Sequence, residues 1–329
     1  MSFTVFKGGK DGVKKSSIKK PSLKGDQVLI KVSHSGVCFT DVHYKEADMV
    51  LGHEGVGYVE EVGPGVKVLK KGDRVGWGYE HDCCGGCTHC LTGWETFCPD
   101  RKMYGMHDFD QGSFASHAVW REAFLFTIPD GLDNEAAAPL MCGGSTVFNA
   151  MHVADVKSTD RVGIVGVGGL GHLAIQFASK MGCHVTVFSG TDSKKDEALQ
   201  LGAHEFIASK GAKELKVEHK LNHLIVTTSA LPDWNLFLNV LDNRATISPL
   251  TVSEQPFTIP NQAMLVSGLR VQGGIVAARQ VHREMLDFAA FHGIKPMVVR
   301  YPMTEDGIRE CLHTLEEGKM RYRGVLTAQ

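Results

Sequence analysis

The sequence predicts an α/β protein in which a parallel-sheet domain is inserted into a mostly β domain. Three observations carry that prediction. The first third alternates short β-branched runs with glycine turns, and from about residue 145 apolar strands alternate with helical patterns. The last segment, 295–329, returns to the style of the first. The expected division is residues 1–147 with 294–329 for the β domain and 148–293 for the inserted one.

Taken in order, residues 27–32, 57–62 and 73–76 read as strands, separated by turns at Gly63-Pro64-Gly65 and Lys71-Gly72-Asp73. A compact, partly open barrel would follow. In the central region the expected strands are 161–165, 184–188, 205–208, 223–227, 245–248 and 269–273, joined by helices in βαβ units. Neither an internal repeat nor a low-complexity tract interrupts this pattern.

The 329 residues are 43% hydrophobic and 22% charged with a formal net charge of -2, an ordinary globular composition with a substantial core. No basic cluster marks a nucleic-acid footprint, and no apolar run approaches membrane-spanning length. The start, Met1 to Lys7, lacks a charged region followed by an apolar stretch, so a secretory leader is not expected. Nine cysteines, an odd number, suit a reducing compartment, and the cytosol is the expected location.

Cys84, Cys87, Cys90 and Cys98 form a C-x2-C-x2-C-x7-C run in a glycine-rich loop. Such spacing lets four thiolates converge on one tetrahedral zinc ion, which then has no vertex for substrate and serves structure. Disulfides are the alternative, disfavoured by tight C-x2-C pairs in a chain without secretory features. Cys83 could act only as a misregistered substitute, because the spacing favours Cys84.

Gly166-Val167-Gly168-Gly169-Leu170-Gly171 follows a buried-strand pattern and opens a helical one. A G-x-G-x-x-G string alone is weak. Between a strand and a helix it signals a dinucleotide site, with glycines for the tight turn and pyrophosphate at the helix N-terminus. The next strand ends at Ser189, where an NAD-selective site would usually place an acid. The turn reads Ser189-Gly190-Thr191-Asp192-Ser193-Lys194-Lys195, whose hydroxyls and ammonium suit a 2′-phosphate. NADP(H) is therefore the expected cofactor, with Asp192 as the residue that could stand in for the missing acid. Lys195 is expected on a solvated helix face.

Cys38, His53 and Cys142 are scattered. Singly, a cysteine after a strand is ordinary filler and a histidine is ordinarily a satisfied hydrogen-bonder. Together, two thiolates and an imidazole make an open zinc site with one vertex for water or substrate oxygen.

The motifs Gly-Val-Cys-x-Thr-Asp-x-His, Gly-His-Glu-Gly, the cysteine quartet, Cys-Gly-Gly-x-Thr-Val-Phe and Gly-x-Gly-Gly-x-Gly occur in that order. In this the chain resembles the medium-chain zinc alcohol dehydrogenases, and most nearly the cinnamyl alcohol dehydrogenase-like, NADPH-dependent aldehyde reductases. The likeness spans essentially the whole chain, up to Arg321-Tyr322-Arg323. It implies a GroES-like catalytic domain, two zinc ions per chain, and Cys38, His53 and Cys142 on the catalytic one. It gives Asp41 the role of accepting from the His53 ring and leaves Glu54 either near the metal or as a buried acid with a basic partner. Thr40 would bond the substrate oxygen, His43 would relay its proton, and Thr146 would rest against the nicotinamide. A homodimer joined through the last parallel strand, near 269–273, is also implied.

Two departures stand out. Only 14 residues separate Cys38 from His53, fewer than the family usually has, so a pocket wall is shortened. Cys142 is followed by Gly143 where alanine is usual. Tyr79, Met103 and Tyr104 are candidates for pocket wall or for core. The rival readings are an NAD-dependent alcohol or polyol dehydrogenase, a reductase of conjugated double bonds or iminium ions, and a non-catalytic nucleotide binder. Ser189 argues against the first, the three metal ligands against the second, and two full ligand sets against the third.

Overall fold

The computed structural model describes residues 2–328. They divide into two compact units, one running to Ser145 and resuming at Ala278, the other spanning Thr146–Ala277.

The first unit begins with β1 (Ser2–Lys7), β2 (Lys14–Lys19), β3 (Gln27–Val37), α1 (Phe39–Tyr44), β4 (Gly55–Val62), β5 (Arg74–Trp77) and β6 (Glu80–Asp82). It continues through α2 (Thr88–Leu91), β7 (Lys102–Met103), β8 (His117–Arg121), β9 (Phe126–Thr127) and α3 (Asn134–Pro139). The helix α4 (Ser145–Val153) leads into the second unit, which holds β10 (Arg161–Val165), α5 (Gly171–Lys180), β11 (His184–Ser189), α6 (Lys195–Gln200) and β12 (Glu205–Ala208). There follow β13 (Leu221–Val226), α7 (Trp234–Leu238), β14 (Leu241–Pro249), α8 (Asn261–Ser267) and β15 (Arg270–Val271). The chain returns to the first unit with α9 (Arg279–His292), β16 (Val298–Pro302), α10 (Glu305–Glu316) and β17 (Arg323–Thr327).

The first unit is built on a seven-stranded sheet in the order β16-β17-β3-β4-β5-β9, with β8 also paired to β3. Central β3 carries the apolar run Val28-Leu29-Ile30, all fully buried, because neighbours cover both of its faces. Its antiparallel partners fix the site that follows. Ser35 pairs with Gly55 of β4, and Val37 pairs with Gly324 of β17. The end of β3, the start of β4 and the start of β17 therefore lie side by side.

The second unit has a wholly parallel sheet in the order β12-β11-β10-β13-β14-β15. Its order reverses between β10 and β13, the switch point where open α/β sheets bind ligands beyond the strand ends. The expected strands of this unit are present, with β14 longer and β15 shorter than their sequence pattern suggests. Only Thr246↔Arg270 and Ile247↔Val271 pair β14 with β15, after which Gly273-Gly274 follows.

The second boundary differs from the sequence expectation. Residues 278–293 belong to the first unit rather than the inserted one. Arg279 donates from its backbone N–H and Nε to Glu95 Oε1 at 2.8 and 2.9 Å, and the His282 ring stacks on Phe126 at 3.9 Å. Among the described residues, no helix is long and apolar enough to cross a membrane.

Candidate active site

Cys38 follows β3 directly and caps α1. Its sulfur accepts from Thr40 N at 3.4 Å, while Asp41 Oδ2 accepts from Cys38 N at 3.0 Å, a reciprocal capping box written in the sequence as C-x-x-D. The same cap aims Asp41 inward: its Oδ1 lies 3.1 Å from His53 Nδ1, and both side chains are wholly buried. His53 stands just before β4, on a turn opened by Gly52, whose φ of 92 no L side chain adopts readily and where a Cβ would meet Phe114 and Ser113. His53 Nε2 comes within 3.2 Å of Cys38 Sγ.

Cys142 is carried on Leu140–Gly144, a single wide π turn between α3 and α4. Ser145 Oγ donates to Cys142 O at 2.9 Å and steadies this turn. Donor atoms from Cys38, His53, Glu54 and Cys142 all lie within 4.8 Å of one another. The Cys142 thiol donates toward Cys38, and this, with the His53 ring, draws Cys38 well below the usual thiol range despite burial. The same bond, with burial, pushes Cys142 up. Burial alone would depress His53, but Asp41 and then Cys38 overcome it and hold the ring well above its usual value. Two sulfurs and one imidazole nitrogen are the donor set of an open zinc site, so the residues fit that ion.

Glu54 Oε1 lies 4.0 Å from His53 Nε2, and the same side chain has a basic partner. Its carboxylate is held by Arg323 at the start of β17, with Nη2 2.6 Å from Oε2 and a second, shorter contact to Oε1. Burial raises the Glu54 carboxyl to about 7, and Arg323 opposes that rise. Gly36 makes room for this pair, since a Cβ there would overlap the carboxylate.

Thr40 is half-buried at the first turn of α1, and His43 is exposed on the same helix, edge-on to Phe39 at 5.6 Å. Thr146 is half-buried in α4. Tyr79 stands edge-on to the His53 ring at 5.6 Å. Met103 and Tyr104, expected as wall or core, are buried, at 1% and 3% exposure.

The cysteine quartet is a separate cluster. Cys84 and Cys98 sulfurs lie 3.5 Å apart, Cys87 and Cys90 3.6 Å, and Cys84 and Cys90 3.9 Å. A tetrahedron with vertices about 2.3 Å from its centre has edges of about 3.8 Å, so the four thiols already match zinc. All nine cysteines are free thiols, and Cys83 is buried beside the quartet.

In the second unit, β10 runs into Gly166, whose φ is 96, and a Cβ on Gly171 would strike the Gly166 carbonyl. These two glycines close the strand–helix turn. Gly168 faces open space, and Gly169 and Leu170 lead into α5, leaving backbone N–H groups at its N-terminus for pyrophosphate. Beyond β11, Ser189 is half-buried and Gly190 is exposed, while Thr191 Oγ1 and Ser193 Oγ lie 2.9 Å apart. Lys194 Nζ reaches back to donate to Val167 O of the glycine loop at 2.6 Å. Asp192 and Lys195 are exposed. A dinucleotide fits this loop.

Sequence reasoning did not find Arg323 as the Glu54 partner, nor the Tyr104 hydroxyl on Asp41, nor buried Glu80 and the Glu95–Arg279 pair. Only Arg323 left a signal, as a basic residue in the C-terminal motif.

Comparison with known proteins agrees with this geometry. Residues 24–130 match the family described as alcohol dehydrogenase GroES-like domain, and residues 169–290 match the zinc-binding dehydrogenase family. A probable formaldehyde dehydrogenase of Bacillus subtilis (strain 168) is 36% identical over 94% of this chain and 93% of its own length. A cinnamyl alcohol dehydrogenase structure from Sorghum bicolor superposes with a TM-score of 0.89 at 32% identity, covering 99% of this chain and 98% of that one. The CAD of Helicobacter pylori, solved with NADP(H), gives a TM-score of 0.89 at 26% identity over 99% of this chain and 98% of its own.

Proposed function

The chain belongs to the medium-chain alcohol dehydrogenase family, and from that membership we propose that it reversibly reduces aldehydes to primary alcohols with NADPH at a zinc centre. The convergence of Cys38, His53 and Cys142 within 4.8 Å is the observation that carries the reading. Zinc bound there would supply a Lewis acid for the carbonyl oxygen, and NADPH at the glycine loop would supply hydride.

The chain's own residues do the rest. Asp41 accepts from His53 Nδ1 and so directs the Nε2 lone pair toward Cys38 and the metal position. Thr40 hydrogen-bonds the substrate oxygen, and exposed His43 passes the proton to solvent. Arg323 keeps Glu54 occupied and balances its charge. In the cofactor domain, Ser189, Gly190, Thr191 and Lys194 receive the 2′-phosphate, with Gly166, Gly168, Gly169, Leu170 and Gly171 around the pyrophosphate and Thr146 beside the nicotinamide. Cys84, Cys87, Cys90 and Cys98 hold a second, structural zinc.

A relative named for formaldehyde and a neighbour named for cinnamyl alcohol support a broad aldehyde range, aliphatic and aromatic. β15 is an exposed sheet edge with Leu265 and Val266 exposed nearby, which supports a homodimer through that edge. Nine free thiols suit the cytosol.

The test is a screen of NADPH and NADH oxidation over aliphatic, terpenoid and aromatic aldehydes, combined with metal analysis. Two zinc ions per chain and faster turnover with NADPH are expected. A single structural ion, or a preference for NADH, would displace the reading toward the rival chemistries.

A further inference from the structure

We propose that Tyr104 is a positioning residue that sets the metal-binding state of His53 through Asp41. The inference rests on the reading of Cys38, His53 and Cys142 as a zinc centre.

Tyr104 follows β7 and is nearly excluded from solvent. Its backbone N–H is tied to Tyr79 O at 2.9 Å, which fixes where the side chain enters. The hydroxyl lies 3.1 Å from Asp41 Oδ1 and 2.9 Å from Gly52 N. The directions of these bonds are forced. Gly52 N–H can only donate, so it uses a phenol lone pair, and the single phenol proton is left for the carboxylate. Asp41 then accepts three hydrogen bonds: Cys38 N at 3.0 Å on Oδ2, and His53 Nδ1 and Tyr104 on Oδ1, each at 3.1 Å.

With Asp41 Oδ1 accepting at the Nδ1 side of the ring, the arrangement favours the His53 tautomer that carries its proton on Nδ1. Nε2 is thereby left as the lone-pair nitrogen, the form a metal needs. The ring reinforces the geometry. It lies 4.7 Å from the His53 ring at 31°, with Tyr44 edge-on to it at 5.6 Å. Tyr104 therefore spans the ligand-bearing turn at 52–54 and the capped helix α1. Phenylalanine would fill the same volume without the proton.

Tyr104→Phe keeps the ring and removes the link. Zinc should be withdrawn from the Cys38–His53–Cys142 centre by a competing chelator with affinity lowered about 10- to 100-fold, while the quartet keeps its ion. The ligand-field bands of cobalt exchanged into that centre should shift. Tyr44→Phe keeps the ring that meets Tyr104 and removes a hydroxyl that is not among those bonded to Asp41, so it should change neither. In a cycle with Asp41→Asn, the double variant should lose no more affinity than Asp41→Asn alone. In the unaltered protein, a slowly exchanging Tyr104 phenol proton is expected by NMR whether or not the variant folds. Unchanged zinc release in Tyr104→Phe, or absence of that proton, overturns the assignment. If instead the unaltered protein binds one zinc, or Cys142→Ser still binds two, it is the metal-centre reading that fails.

Discussion

Arg323 Nη2 lies 2.6 Å from Glu54 Oε2, and both side chains are sealed from water beside Cys38 and His53. A buried pair adds little net stability when intact, yet removing one partner strands the other charge. Arg323→Ala should therefore lower unfolding free energy by about 3–5 kcal/mol, read from urea midpoints at constant m. Glu54→Gln combined with Arg323→Leu should recover most of that loss. A single-variant cost no larger than the double would show that the ion pair is not what the site requires.

His53 and Cys142 test the metal centre directly. His53→Ala or Cys142→Ser should reduce zinc from two ions per chain to one by mass spectrometry. Turnover should fall about 10³-fold or more, since Lewis-acid assistance supplies several kcal/mol. NADPH binding, followed by fluorescence titration, should be nearly unchanged. Retention of turnover at one zinc per chain would end the proposed mechanism.

Much of the site was legible because its chemistry is local in sequence. The quartet's spacing and the strand–glycine–helix turn each specify geometry within one short segment, whereas the cap made by Cys38 and Asp41 emerged only in the structure. What escaped depends on long-range register. Arg323 is 269 positions from Glu54, and only the pairing of β17 with β3 brings them together. Tyr104 reads as an apolar wall or core residue until its hydroxyl is placed on Asp41. The helical pattern of α9 is the same whichever unit it covers, so only its contacts with Glu95 and Phe126 reveal where it belongs.

Ser189 and Lys194 should decide between the two nicotinamide cofactors. Ser189→Asp places a charge at the end of β11 that repels a 2′-phosphate, and Lys194→Ala removes the ammonium beside the glycine loop. Each should lower the NADPH-to-NADH ratio of kcat/KM by about 10- to 100-fold, with the larger share in KM for NADPH. Equal losses with both cofactors would mean these residues support the loop rather than select the phosphate.

Glu80 and His282 should shape stability against pH with opposite signs. Burial, then the Glu95 carboxylate, raises Glu80 from 4.5 to about 8, with Arg279 and Arg101 opposing and Asp82 adding to the rise. Neither carboxylate oxygen has a hydrogen-bond partner among the described residues. The folded protein thus holds a proton that the unfolded chain has released, so stability falls as pH rises from 4.5 to about 8. Burial, then Arg283, lowers His282 from 6.5 to about 3, so there the unfolded chain takes up the proton and stability falls as pH drops below 6.5. Between 4.5 and 6.5 the two slopes oppose, and above 6.5 Glu80 acts alone of the pair. Glu80→Gln should therefore remove a loss of about 2 kcal/mol between pH 6.5 and 8, measured as the difference in urea stability curves. His282→Leu should remove the loss of stability below pH 4.5, expose the falling Glu80 slope between 4.5 and 6.5, and leave the alkaline side as it was. If Glu80→Gln runs parallel to the unaltered protein across that window, the carboxyl is ionised in the fold and Arg279 or Arg101 must neutralise it.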